Sequence, residues 1–271
     1  MKTLLSFIMI FVLTVLTCCA SGVTPTPAPA PPPELAKGYS YLLNNLNPNL
    51  NLICESPDDP NPALHKTYWL INDNLLASFA LKSYDPELSS SILATIEKYG
   101  CRQHYLGVLN KDSGIDPVLA LDSNPEVIEE NSDYVIKTER LTDIKMQDYA
   151  EYFDKLCYKT LWHYHQGQHQ EAAGHFNQAL MMWDGQGFKD KAFKLEEGYN
   201  TYKLALFYLT AKTLGRLDAV TFQEPLLSTI YGLQSANGGF HTFYCFDNKG
   251  QLEVKGSTNT ETTSLVLMAL R

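Results

Sequence analysis

The sequence predicts an all-α domain, and three observations point to that fold class. Apolar residues recur at three- and four-residue spacing over most of the chain, as they do on the buried face of a helix. Two glycine turns close on phenylalanine, at 184–188 and 237–240, and each follows a helical segment. Three helix starts share small polar residues that run into apolar sequence, which indicates a weak repeat of helical hairpins. Such hairpins bury their faces on neighbours, so a solenoid or a closed ring is expected.

The periodicity predicts eight helices in the body of the chain. They are Glu34–Leu46, Tyr68–Ser83, Pro86–Tyr99, Ile144–Tyr164, Glu171–Met182, Tyr199–Thr213, Asp218–Gln234 and Thr260–Leu270. Between Cys101 and Thr142 the helical spacing is lost, and the run 134–138 is typical of extended structure. We therefore expect an extended, β-like insertion near 101–142, and connections of this length are often functional.

The first 33 residues differ in composition from the rest. Met1-Lys2 and the apolar run Leu4–Val15 have the layout of a secretory signal, and Cys18-Cys19 resembles a lipoprotein processing site. The uncharged stretch is near the lower limit for spanning a bilayer, so residues 1–20 are expected to be a signal peptide or a membrane anchor. Residues 21–33 are rich in proline, which favours an extended polyproline linker. The domain at 34–271 is thus expected outside the cytoplasm, either secreted or attached to a membrane by its N-terminal segment or a lipid.

The composition limits the classes of partner. Hydrophobic residues make up 45% of the chain and charged residues 19%, a balance that allows a substantial core. The formal net charge is -9. Because an acidic protein repels phosphate backbones, a nucleic-acid partner is not expected.

Four cysteines lie in the body of the chain: Cys54, Cys101, Cys157 and Cys245. In an oxidising compartment an even number favours disulfides, with three possible pairings. A Cys54–Cys101 bridge is the preferred pairing, because both residues lie in predicted loops that flank one helical pair. No CxxC spacing occurs, and His165 and His169 are separated by Gly167 without a His-Glu-x-x-His motif. The sequence therefore predicts no metal site and no cofactor.

Two segments near the C-terminus carry a resemblance to known proteins. Gln234–Phe240 (Gln-Ser-Ala-Asn-Gly-Gly-Phe) and the capped helix within Gly256–Leu270 resemble hairpins of the α/α-toroid proteins. That superfamily includes terpenoid cyclases, prenyltransferase β subunits, thioester-containing complement-like domains and six-hairpin glycosidases. The resemblance implies an α/α toroid, a full or partial ring of helical hairpins, for residues 34–271.

The branches of this superfamily differ in their motifs. The chain has no Asp-x-Asp-Asp acid motif, no Gly-Cys-Gly-Glu-Gln thioester stretch and no evident Asp, Cys and His zinc set. By elimination, the resemblance leaves the carbohydrate-active branch, which includes glycoside hydrolases and polysaccharide lyases. Glycoside hydrolysis needs two carboxylates, one protonated and one ionised.

Acidic residues at helix starts and inter-helix loops are the candidate catalytic groups: Glu261, Asp73, Asp184 and Glu196. Aromatic side chains and one imidazole are the candidate substrate-binding groups: Tyr68, Trp69, Phe240, His241 and Tyr244. The structural alternative is that Asp73 and Glu261 only cap helices, where a carboxylate is favourable beside free N–H groups. The functional alternative is a non-catalytic surface scaffold that binds glycan, peptide or an envelope protein.

Overall fold

Four helices pack side by side at the centre of the molecule. The computed structural model describes residues 32–271. The inner helices are α2 (Leu75–Leu81), α4 (Phe153–His165), α6 (Thr201–Thr213) and α8 (Thr260–Leu270). They pack in the order α4, α6, α8, α2. Every residue of α8 from 262 to 269 is buried, because the helix has neighbours on all sides.

Four further helices cover the inner row. They are α1 (Pro33–Asn44), α3 (Pro86–Lys98), α5 (His169–Leu180) and α7 (Gln223–Gly232). They pack on α8, α2, α4 and α6, respectively. Each buries one apolar stripe and leaves the opposite face in water, as their three- and four-residue spacing requires.

Ten short strands form four small sheets within the described residues. The strands are β1 (Leu46–Asn47), β2 (Leu52–Ile53), β3 (Thr67–Trp69), β4 (Leu119–Leu121), β5 (Glu126–Glu130), β6 (Val135–Thr138), β7 (Leu141–Lys145), β8 (Tyr199–Asn200), β9 (Phe240–Phe246) and β10 (Leu252–Asn259). Antiparallel pairs join β1 to β2 and β4 to β7. One three-stranded sheet has the order β3-β6-β5, with β3 parallel to β6, and the other has the antiparallel order β10-β9-β8.

The strands lead the chain to the starts of the inner helices. β8 runs directly into α6, and β10 runs directly into α8. β3 is followed by an irregular turn, Leu70–Asn74, and then by α2. The N-terminal ends of these three helices are therefore held by sheet hydrogen bonds, which fixes the side chains placed there.

The all-α prediction is wrong, and with it the resemblance to the α/α toroids. Each of the eight predicted helices corresponds to one of α1–α8, but the four sheets make the fold a mixed α/β one. The expected insertion near 101–142 contains β6, which pairs with β3, outside that segment. The hairpin β9–β10 occupies sequence that we expected to be loop. These strands were missed because most of their residues are only half-buried, so apolar and polar residues do not alternate clearly.

Residues 32–271 belong to one compact unit. No helix within this range is both long and apolar enough to cross a bilayer. The predicted signal or anchor at 1–20, the lipoprotein-like Cys18-Cys19 and nearly all of the proline-rich linker lie outside the described residues.

Candidate functional site

Three acidic residues lie at the N-terminal ends of inner helices and form the base of an acidic cluster. Asp73 lies in the turn Leu70–Asn74, two residues before α2, Asp154 is the second residue of α4, and Glu261 is the second residue of α8. The partial positive charge at a helix N-terminus stabilises a carboxylate there. Asn259 already caps α8, because its side chain accepts a hydrogen bond from the Thr262 N–H at 2.9 Å. The Glu261 carboxyl is therefore free for another role.

Glu261 has a pKa close to neutral pH. Its pKa is raised to about 7, first by burial and then by the negative charges of Glu139, Glu55 and Asp154. The side chain is half-buried and still lines a cavity. It can hold a proton at neutral pH and deliver it to a molecule in that cavity.

Asp73 lies deeper in the cluster. It is only 3% exposed, and its Oδ2 atom has no hydrogen-bond partner among residues 32–271. Burial, followed by the charges of Glu55 and Glu261, holds its pKa well above the usual range. The carboxyl is thus favoured in its neutral form.

Glu55 follows β2 and is the second carboxyl in the cavity wall. Its Oε2 atom accepts a hydrogen bond from the Trp69 indole N–H at 2.7 Å. Burial raises the pKa of Glu55, while the Trp69 hydrogen bond and the positive charge of Lys137 oppose that rise. The Lys137 Nζ lies 5.6 Å from the centre of the Trp69 ring. Trp69 and Lys137 together favour the ionised form of Glu55.

Glu139 joins the cluster through a strained residue. Asn72 donates a hydrogen bond from Nδ2 to Glu139 Oε2 at 2.6 Å. The backbone of Asn72 has φ 66° and ψ −72°. A non-glycine residue with positive φ lowers the stability of the fold by on the order of 1–3 kcal/mol, and such residues concentrate at functional sites. The turn that places Asp73 is therefore held in a conformation that only the surrounding contacts can maintain.

The cavity beside the cluster has a volume of about 270 Å³. Glu55, Asp59, Tyr202 and Glu261 line it. The other lining residues are mostly hydroxyl or amide side chains: Ser56, Leu64, Asn200, Thr242, Phe243, Ser257, Asn259 and Thr262. A larger cavity of about 630 Å³ shares Asp59 and Ser257 with the first, so the two adjoin.

Buried tyrosines and a lysine lie near the acidic cluster. The Lys155 Nζ lies 3.9 Å from the centre of the Tyr105 ring and has no hydrogen-bond partner in the described part of the chain. Burial lowers the pKa of Lys155, and the negative charges of Asp154 and Glu139 oppose that effect. This ammonium offsets part of the negative charge on the inner side of the cluster.

Two of the four candidate catalytic residues meet at this site. Glu261 and Asp73 lie in the cluster, whereas Asp184 and Glu196 do not. Burial raises the pKa of Asp184, but hydrogen bonds from Lys189 at 2.7 Å and from Tyr199 at 2.7 Å outweigh it, so the pKa is lowered. Glu196 is exposed on a loop. The Oδ1 atom of Asp184 accepts hydrogen bonds from the N–H groups of Gln186 and Gly187, so this residue stabilises its own glycine turn.

The candidate binding residues are divided in the same way. Trp69 contacts the cluster through Glu55, and His241 lines the larger cavity, where its Nδ1 lies 3.0 Å from the Gly256 carbonyl oxygen. The other three are core side chains: Tyr68, Phe240 and Tyr244.

Among the described residues, all four cysteines are free thiols. Cys54 and Cys101 are both buried, and the preferred bridge between them is not formed. No group of three His, Cys, Asp or Glu side chains within 32–271 is arranged to hold a metal ion.

Three acidic members of the cluster were not found from sequence: Glu55, Glu139 and Asp154. Asp154 had a usable signal, since it occupies the same helix-start position as Glu261. It was missed because the predicted helix began at Ile144, nine residues before the observed start at Phe153. Glu55 and Glu139 follow strands, and nothing in their local sequence distinguishes them.

Comparisons with protein-family models, with curated proteins and with solved structures find no match to this chain.

Proposed function

We propose that the chain is an extracytoplasmic carbohydrate-active enzyme that cleaves glycosidic bonds, with Glu261 as the general acid. The observation that carries the proposal is that the carboxyls of Glu261 and Glu55 line one cavity, where burial raises the pKa of both and the Trp69 indole N–H and the Lys137 charge oppose the rise only at Glu55. A protonated and an ionised carboxyl in one site are the groups that glycoside hydrolysis requires.

The lining of the cavity supports a sugar as the ligand. Hydroxyl and amide side chains can donate to and accept from sugar hydroxyl groups, and they outnumber the apolar lining residues. Tyr202 and Phe243 supply aromatic surface against which the apolar face of a sugar ring can pack. An apolar ligand would leave these polar groups without partners.

In the proposed reaction, Glu261 gives its proton to the glycosidic oxygen as the bond from that oxygen to the anomeric carbon breaks. The Glu55 carboxylate then accepts a proton from a water molecule, whose oxygen bonds to the anomeric carbon, or first attacks that carbon itself. Water supplies the hydroxyl of one product, and the proton lost by Glu261 ends on the other product.

The test is product formation by the purified full-length chain on a panel of neutral, amino and acidic polysaccharides. Reducing ends report hydrolysis, and absorbance near 235 nm reports the unsaturated products of a lyase. The variants are Glu261→Gln and Glu55→Gln, which keep side-chain shape and remove the carboxyl. Glu224→Gln is the matched control, because Glu224 is an exposed acid in the first turn of α7.

We expect both cavity variants to lose at least about 100-fold in turnover, the scale of a removed general acid or base. The Glu224→Gln control should keep its activity. No turnover on any polysaccharide, with all variants folded, would overturn the proposal in favour of the non-catalytic binding scaffold.

A further inference from the structure

A surface loop forms part of the wall between the two cavities. This loop, residues 57–66, which we call the flap, lies between β2 and β3. Its ends are held together because the Glu55 N–H donates to the Thr67 carbonyl oxygen at 2.9 Å. Asp59 of the flap and Ser257 of β10 each line both cavities. Ser257 Oγ donates to Asp59 Oδ2 at 3.2 Å, so this contact is part of the partition between the cavities.

The flap is held in place by polar contacts. Each of its residues is exposed or half-buried. Because little apolar surface is buried, the position of the flap depends on its hydrogen bonds to neighbouring elements. Asp58 Oδ2 accepts from Thr258 Oγ1 at 2.6 Å and from the side-chain amide of Asn237. Together with the bond between Asp59 and Ser257, these contacts form a latch that fastens the flap to β10 and to the turn after α7.

The flap also has internal hydrogen bonds that maintain its shape. Asp59 Oδ1 accepts from the Asn61 N–H at 2.7 Å, and the Asp59 carbonyl oxygen lies 2.7 Å from His65 Nε2. The Asn61 carbonyl oxygen accepts from the Leu64 N–H at 3.0 Å. A loop with adjacent ends and its own internal contacts can lift as one body, with its two ends as the hinge.

We propose that the flap is a lid over the cavity lined by Glu55 and Glu261, an inference that rests on the proposed function and explains how a polysaccharide reaches that site. With the latch formed, this cavity has a volume of about 270 Å³. Pockets that enclose drug-sized ligands have roughly 300–1,000 Å³. Lifting the flap joins the cavity to its neighbour of about 630 Å³. The joined space is an open cleft that runs past both carboxyls, so a sugar chain can be cleaved within its length.

The latch determines how often the lid opens. A hydrogen bond to a carboxylate is stronger than one between neutral groups, which favours the closed position. Asp58 is exposed and Asp59 is half-buried, so water replaces the lost donors when the flap lifts. The open state is therefore a minor population that the loss of one latch contact enlarges.

The test measures the position of the flap by double electron–electron resonance between two spin labels on the full-length chain. One label is attached through Ala63→Cys in the flap, and the other through Lys249→Cys in the exposed turn between β9 and β10. Cys18→Ser, Cys19→Ser and Cys245→Ser prevent labelling elsewhere, because the remaining cysteines within 32–271 are buried. An open flap gives a second, longer distance.

Thr258→Val is the main variant, because it keeps a branched side chain and removes the donor to Asp58. The population at the longer distance should rise at least about tenfold, the scale of one hydrogen bond to a charged group. Asp58→Ala also loses the contact with Asn237 and should have at least the same effect. This second variant changes an exposed residue, so the test does not depend on the folding of Thr258→Val. Thr229→Val is the matched control, because its hydroxyl donates to the Pro225 carbonyl oxygen within α7.

The same distance distribution in the parent, Thr258→Val and Asp58→Ala would overturn the inference, as would an equal shift in Thr229→Val. This measurement does not depend on turnover, so its failure is distinguishable from that of the proposed function. A response of the latch variants without turnover on any polysaccharide would overturn the function and leave the lid standing. Turnover by a chain whose flap stays at one distance would leave the function standing and overturn the lid.

Discussion

The indole N–H of Trp69 donates to the Oε2 atom of Glu55 at 2.7 Å, which links the end of β3 to the turn after β2. This bond lowers the pKa of a carboxyl whose burial raises it. Among the described contacts, it is the one that most opposes the rise in the Glu55 pKa, beside an acid, Glu261, with a pKa of about 7.

Trp69→Phe removes this donor and keeps an aromatic ring. A hydrogen bond to a charged group contributes about 1.5–3 kcal/mol, so turnover should fall about 10- to 100-fold. The pKa of Glu55 should rise, which moves the acidic limb of the pH–activity profile to higher pH. The control is Trp183→Phe, because the Trp183 ring stacks on Phe222, away from the cavity. This variant should leave the acidic limb in place.

The activity should decline as the pH rises through about 7, because Glu261 then loses the proton it donates. The charges of Glu139, Glu55 and Asp154 are among the causes of this value. Glu139→Gln removes the largest of them, so the alkaline limb should shift to lower pH. A pH–rate profile of both proteins measures the shift. An alkaline limb that stays in place would mean that another group is the acid.

Glu261→Gln should alter stability in a pH-dependent way. The folded-state pKa of Glu261 lies above the ordinary value of 4.5. Its contribution to the free energy of unfolding is therefore fully present below about pH 4.5 and is lost as the pH rises through about 7. The full shift corresponds to about 3 kcal/mol, and contact with solvent reduces the expected effect to about 1–2 kcal/mol. Urea unfolding measures the free energy of unfolding at each pH. The value for Glu261→Gln should equal that of the parent at pH 4 and exceed it at pH 8, whereas the value for Glu224→Gln should equal that of the parent at both.

Asn72 can be tested for stored backbone strain. Asn72→Gly and Asn72→Ala both lose the hydrogen bond to Glu139, but only glycine adopts a positive φ without cost. The alanine variant should therefore be about 1 kcal/mol less stable than the glycine variant. Urea denaturation of the two proteins measures the difference. Equal stability would show that the turn relaxes when Asn72 is replaced.

Lys203 and Asp190 form a buried ion pair at 2.8 Å, with side chains 2% and 0% exposed. Asp190 Oδ2 also accepts the Phe153 N–H at the start of α4. Lys203→Met would leave a buried charge without its partner, and a loss of about 3–5 kcal/mol in unfolding free energy is expected. Adding Asp190→Asn removes that charge and should restore part of the loss. A double variant no more stable than Lys203→Met would contradict this explanation.

The helices could be predicted from sequence because their signal is local. The apolar spacing in Pro86–Lys98 and Thr260–Leu270 is complete within each segment, and both were predicted to within one residue at each end. The start of α4 was placed too early because the short strand β7 and the turn Tyr149–Glu151 also carry apolar residues at helical spacing. That error hid Asp154.

By itself, the sequence determined where the helices lie and that Asp73 and Glu261 stand at helix starts, since periodicity and capping act over a few residues. Only the tertiary structure decided which carboxyls share a cavity. Glu55 and Glu139 are brought there by strands that pair with distant parts of the chain, as β3 does with β6, and such pairings leave no local pattern. The same long-range packing buried Asp73 and left its Oδ2 atom without a hydrogen-bond partner among the described residues.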